Sequence, residues 1–62
     1  MVTYKFIEQL LKENGWFLVR SKGSHRHYKH ENQKETLTLA YHNVNDVVLP
    51  KTLKAYKKSL NF

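Results

Sequence analysis

The sequence contains no cysteine. That excludes a disulfide framework, a thiolate nucleophile and any cysteine-ligated zinc or iron–sulfur centre. One proline and two glycines are too few for a low-complexity or disordered chain. The longest unbroken apolar run is Trp16 to Val19, far short of the roughly 20 residues a membrane helix needs. Met1-Val2-Thr3-Tyr4-Lys5 opens no apolar signal region, so a cytoplasmic location is expected, with no membrane partner. Acidic residues are scarce as well. Five Asp and Glu stand against 11 Lys and Arg, a net charge of +6 before any of the four histidines is counted. Positive charge of that density suits a polyanion or an acidic protein.

What is present suffices for a small core. Of 62 residues, 40% are hydrophobic, so a single domain over 1–62 is expected. Tyr4, Phe6, Ile7, Leu10 and Leu11 fall on one arc at helical spacing, which predicts a helix over 4–13. Thr3 is a suitable N-cap, and Asn14-Gly15 a suitable stop. Trp16 to Arg20 is nearly continuous in apolar residues and reads as a strand buried on much of both faces. Ser21-Lys22-Gly23-Ser24 is turn chemistry.

The next strand is unusually polar. His25, His27 and Lys29 share one face, and Arg26, Tyr28 and His30 the other. Only Tyr28 is clear core material, which suits an edge strand or one side of a functional surface. After the polar segment Glu31 to Glu35, Leu37, Leu39 and Tyr41 alternate through a third strand, Thr36 to His42. Pro50 opens a last helix with the apolar stripe Leu49, Leu53, Tyr56 and Leu60. The expected fold class is therefore α+β, ordered α-β-β-β-α. A three-stranded antiparallel sheet carries both helices on one face and leaves the other open. That is the layout of a double-stranded-RNA-binding domain.

Chemistry concentrates between Arg20 and Lys34, where Arg20, Lys22, Arg26, Lys29 and Lys34 alternate with three histidines. Such side chains hold phosphates; a basic protein also solvates itself with them. His25 follows a glycine-containing turn and opens a strand, so its backbone is fixed while its ring stays near solvent. A free imidazole titrates near pH 6.5 and can accept a proton at neutral pH. RNA carries its own nucleophile, the 2′-hydroxyl. A base that deprotonates it would release a 2′,3′-cyclic phosphate and a 5′-hydroxyl end, with nearby cations stabilising the transition state. DNA lacks that hydroxyl. On its residues alone, His25 reads either as this base or as an ordinary surface histidine.

Other constellations are weaker. Ser24 and His25 point to opposite faces if extended, which argues against a serine nucleophile. The Ser24 hydroxyl could hold a phosphate oxygen or simply close the turn. His25, His27 and His30 do not share a face and have no acidic or cysteine ligand near them, so no metal site is expected. No phosphate-cradling glycine signature is present, and no cofactor is expected.

Gly15-Trp16 after a short helix, Arg20, Gly23-Ser24-His25 opening a strand, a third strand ending near His42, and Thr52-Leu53 in a final helix together resemble the HicA toxins of toxin–antitoxin systems. The similarity spans roughly residues 4–60. It implies an mRNA interferase: a metal-independent endoribonuclease that inhibits translation and growth and is neutralised by a HicB-like antitoxin. The family's catalytic histidine falls on His25. Lys22, Ser24, Arg26 and Lys29 become candidate RNA contacts, and His42 a possible secondary site. Pro50-Lys51 stands where the family commonly has a glycine before Thr-Leu. The alternative function is a non-catalytic RNA-binding module of the same fold.

Overall fold

The computed structural model describes residues 1–60; Asn61 and Phe62, the end of the span expected to form the domain, lie outside the described residues. The order is α1 (Tyr4–Glu13), β1 (Phe17–Lys22), β2 (His25–Lys29), β3 (Leu37–Ala40) and α2 (Pro50–Leu60). The three strands form one antiparallel sheet in the order β1-β2-β3. This is the expected α-β-β-β-α, double-stranded-RNA-binding-domain-like arrangement.

Local chemistry sets the element ends. The Thr3 hydroxyl accepts from the Phe6 amide at 3.3 Å, satisfying one free donor of the first helical turn. The next free donors, the Tyr4 and Lys5 amides, donate to the carbonyls of Asp46 and Val44 at 3.1 and 2.8 Å. The 43–48 connection is thereby tied along the start of α1. Gly15, at φ +88°, ends α1, and Gly23, at φ +57°, turns β1 into β2.

One cluster holds the core: Tyr4, Ile7 and Leu11 from α1, Tyr28 from β2, Leu37 and Leu39 from β3, Tyr56 from α2, with Trp16, Tyr41 and Val48. Tyr28, Leu37 and Leu39 stand on a single sheet face, so both helices cover that face. Each large apolar side chain so buried contributes about 1.5–3 kcal/mol. Tyr4 stacks on Tyr41 with ring centroids 4.8 Å apart and meets Tyr56 edge-on at 6.4 Å. These two contacts pin α1 to the end of β3 and to α2.

Four expectations need correction. β1 is exposed along its whole length rather than buried on both faces: Phe17, Leu18 and Val19 keep 51%, 49% and 46% of their accessible surface. It is an edge strand, and its apolar run is broken by an irregularity between Leu18 and Arg20. β2 is the central strand, not an edge; its polarity reflects one open face rather than an open side. Phe6 lies outside the core because Tyr4, Ile7 and Leu11 already fill the buried arc of α1. Leu49 is exposed and precedes α2, where its carbonyl accepts the first helical bond from Leu53 at 2.8 Å.

His30 fixes the junction between α1 and β1. The Asn32 amide donates to His30 Nδ1 at 3.0 Å. The proton therefore sits on Nε2, which donates to the Asn14 carbonyl at 2.9 Å. The ring also leans on Trp16. A Cβ added at Gly15 would lie 3.0 Å from that Nε2, whereas one at Gly23 would meet nothing within 4 Å. Gly23→Ala should therefore cost only the left-handed backbone penalty of about 1–2 kcal/mol. Gly15→Ala should cost about 0.5–1.5 kcal/mol more, because it also crowds the half-buried, hydrogen-bonded His30 ring. Urea denaturation of both variants checks the ordering, and equal midpoints would contradict it.

Candidate active site

Strand alternation sorts the candidate residues onto two faces. Toward solvent, opposite the helices, β1 presents Phe17, Arg20 and Lys22; β2 presents His25, His27 and Lys29; β3 presents Thr38 and Ala40. The register pairs Lys22 with His25, Arg20 with His27 and Phe17 with Lys29 across β1 and β2. It pairs His25 with Ala40 and His27 with Thr38 across β2 and β3. The irregularity at Val19 puts Arg20 on this face: in a regular strand Arg20, two residues after Leu18, would share Leu18's helix side.

His25 is exposed at the first position of β2, between Lys22 on one neighbour and Ala40 on the other. Alanine leaves the ring open on that side, and lysine brings a cation on the other. Lys29 shares the face but stands four residues along the strand, about 13 Å away at strand rise. That distance suits a flanking phosphate rather than one held beside His25. Ser24 is half-buried, and its carbonyl accepts from the Tyr41 amide at 3.0 Å. This bond extends the β2–β3 pairing and brings exposed His42, the next residue, to the same end of the sheet as His25.

Arg26 is the exception among the candidates. It lies on the helix side, half-buried, with its guanidinium 4.4 Å from the centroid of the Tyr41 ring. The structure therefore brings Lys22, His25 and Lys29 together on one face and separates Arg26 from them.

Two residues matter that the sequence alone did not single out. Thr38 Oγ1 lies 2.9 Å from His27 Nδ1, and Glu8 accepts a 2.8 Å hydrogen bond from the Tyr28 hydroxyl. Thr38 could have been found once the β2–β3 register was known. Glu8 could not, because it sits on the polar arc of α1 and meets Tyr28 only through packing. A larger hollow, about 670 Å³, opens elsewhere, between the 32–37 segment and Lys58 and Ser59 of α2. It contains no histidine, so it is not where the chemistry above would occur.

With this geometry in hand, the family assignment follows. The family model described as the HicA toxin of bacterial toxin–antitoxin systems matches residues 4–61. The chain belongs to the HicA toxin family. No curated protein matches it. A HicA toxin has as its general partner a HicB antitoxin. Within the described residues of this HicA-family chain, no helix is long and apolar enough to cross a membrane, and no three His, Cys, Asp or Glu side chains cluster as a metal site.

The buried tyrosines beneath the site give it a pH limit. Burial, then the hydrogen bond and charge of Glu8, push the Tyr28 phenol above the ordinary tyrosine range. Burial, with Glu8 again adding to it, pushes Tyr41 up to about 12. Burial, with Tyr4 beside it, does the same to Tyr56, also to about 12. Raised folded values mean that folding favours the neutral phenols. Their contribution is complete below the unfolded value near 10 and is lost as pH rises through the folded values. Stability should hold up to about pH 10 and fall between about pH 10 and 12. Removing the ionisable hydroxyls in Tyr28→Phe/Tyr41→Phe should flatten that fall. Guanidinium midpoints across this range decide the matter; an equally steep decline in the double variant would show that these phenols are not responsible.

Proposed function

We propose that this HicA-family toxin is an mRNA interferase, a single 1–62 domain that cuts RNA on the open face of its sheet with His25 as general base. The observation that carries this reading is the position of His25, exposed on a cationic sheet face, held by the first backbone position of a central strand, with Lys22 directly across from it. In the proposed reaction its imidazole takes the proton of a ribose 2′-hydroxyl, and the 2′-oxygen attacks the adjacent phosphorus. Lys22 and Arg20 stabilise the charge that builds on the phosphoryl oxygens. Lys29, farther along the face, holds a neighbouring phosphate. The nucleophile belongs to the RNA and the base to the protein, so the step requires neither metal nor cofactor.

Ser24 and His42 flank His25 at the same end of the sheet and are proposed as RNA contacts. Arg26 is not placed to reach the phosphate beside His25; its role is to cap the Tyr41 ring. A HicB-like antitoxin carrying acidic groups would compete with RNA for this face, because both need the same cations. The same cations would also serve a non-catalytic RNA-binding module, the second reading. That module would retain RNA affinity and produce no cyclic phosphate.

Incubation of purified protein with single-stranded RNA in EDTA distinguishes the two. The wild type should yield 2′,3′-cyclic phosphate ends, and His25→Ala should lose about 10²–10⁴-fold in rate, the usual contribution of a positioned base. Undiminished cleavage by His25→Ala would remove His25 from the mechanism. In a binding assay, Lys22→Ala and Lys29→Ala should each lower the slope of log affinity against log salt by roughly 0.7 for single-stranded RNA. An unchanged slope in either variant would take that lysine out of the phosphate contacts.

A further inference from the structure

We propose that His27 is the general acid of this site, protonating the 5′-oxygen that leaves as the RNA strand breaks. The inference deepens the ribonuclease reading above and rests on it. Of the four histidines, His25 and His27 are the two that occupy strand positions on the open face of the sheet. His30 stands on the other side with both ring nitrogens engaged, by the Asn14 carbonyl and the Asn32 amide. His42 lies beyond the last residue of β3.

His25 and His27 are two residues apart on one strand, so their Cα atoms stand about 6.6 Å apart with parallel side chains. An in-line displacement at phosphorus needs one proton-transfer group on the 2′-oxygen side and another on the 5′-oxygen side. Two imidazoles at this spacing can flank a single phosphodiester. The cross-strand partners of the pair, Lys22 and Arg20, stand alongside.

The environment of His27 fits the acid role. Its ring is half-buried, and Nδ1 lies 2.9 Å from Thr38 Oγ1 on the neighbouring strand. With Nδ1–H donating to that hydroxyl, ring rotation is restrained and Nε2 is left as the working nitrogen. Val19, Arg20, Thr36, Thr38 and His27 line a shallow hollow of about 260 Å³, room for the group that leaves. The residues facing His27 are Arg20 and Lys22 from β1, His25 and Lys29 from β2, and Thr38 from β3. None is a carboxylate, so the anion that would pair with a protonated His27 is the RNA phosphate itself.

The step balances as follows. His25 accepts the 2′-hydroxyl proton while the 2′-oxygen–phosphorus bond forms. The phosphorus–5′-oxygen bond breaks, and the proton on Nε2 of protonated His27 passes to the departing oxygen. The products are a 2′,3′-cyclic phosphate and a 5′-hydroxyl. His25 ends protonated and His27 neutral, and exchange with water restores both.

The test uses the leaving group. The preferred cut is first mapped on ordinary RNA; the same oligonucleotide is then made with a sulfur atom replacing the 5′-oxygen at that cut. A thiolate leaves without needing a proton. The variants are His27→Ala and His27→Asn, whose side-chain amide can still donate to Thr38 and so preserves the β2–β3 contact. On all-oxygen RNA both should lose about 10²–10⁴-fold in rate. On the sulfur-containing RNA both should come within about tenfold of the wild type, while His25→Ala stays slow on both substrates. A wild-type rate on ordinary RNA, or an equal loss on both substrates, overturns the role of His27 and leaves that of His25 standing. If the wild type cleaves neither substrate, the ribonuclease reading itself falls and this inference falls with it.

Discussion

The register of β2 is the constraint on which the site depends. Side chains on a strand alternate, so a slip of one residue would exchange the two faces completely. It would drive His25, His27 and Lys29 into an apolar core and expose Tyr28. Tyr28 opposes this slip. Its ring is 1% exposed, and its hydroxyl donates to Glu8 on α1. A slipped register would lose both the burial of that ring and the bond that satisfies its polar tip. The same alternation holds on β3, where Leu37 and Leu39 are buried and Thr38 is turned to the open face. One face is fixed by burial, and the other is fixed as its consequence.

The open face is thereby assembled at little cost in desolvation. Arg20, Lys22, His25 and Lys29 are all exposed, and an exposed cation keeps its hydration. The cost falls on mutual repulsion instead, which five carboxylates in the chain do little to offset. Glu8 is turned toward Tyr28 on the opposite side of the sheet. A phosphodiester backbone relieves that repulsion by placing anions between the cations, and an acidic antitoxin would do the same. On the proposed reading, competition between RNA and antitoxin would thus follow from the charge on a single surface.

Much of this was legible in the sequence. Thr3, Gly15 and Gly23 mark element ends through chemistry that acts within a few residues. The alternation Leu37, Leu39, Tyr41 marks a half-buried strand whatever lies beside it. What escaped the sequence depends on contacts between distant residues. The apolar run at the start of β1 looks like a buried strand, but strand order places it at the edge, where neither helix covers it. Phe6 sits beside the core arc of α1 yet is left out, because burial is decided by what the helix packs against. Arg26 belongs by composition to the cationic cluster, and parity plus the Tyr41 ring set it on the other face. The candidate site was legible as far as His25, whose turn is local. The His27–Thr38 contact joins residues 11 apart in sequence and exists only once the strands are paired.

A flat, water-exposed sheet is a poor place for electrostatic catalysis, because solvent screens the groups that act there. Geometry must then supply what the low dielectric of a deep pocket supplies elsewhere. Placing the side chains proposed to react, His25 and His27, on a central strand serves that need. β2 is hydrogen-bonded on both sides, so its backbone has less freedom than a loop of the same length. Ala40 keeps one side of His25 clear, and Thr38 restrains His27. On the proposed reading, RNA lying across the strands would displace the remaining water and so strengthen the interactions of Lys22 and Arg20 with the phosphoryl oxygens only while it is bound. Such a site would stay solvated when empty and become competent on contact with RNA. It is also easily blocked, because any acidic surface able to lie flat on the sheet reaches every one of these groups at once.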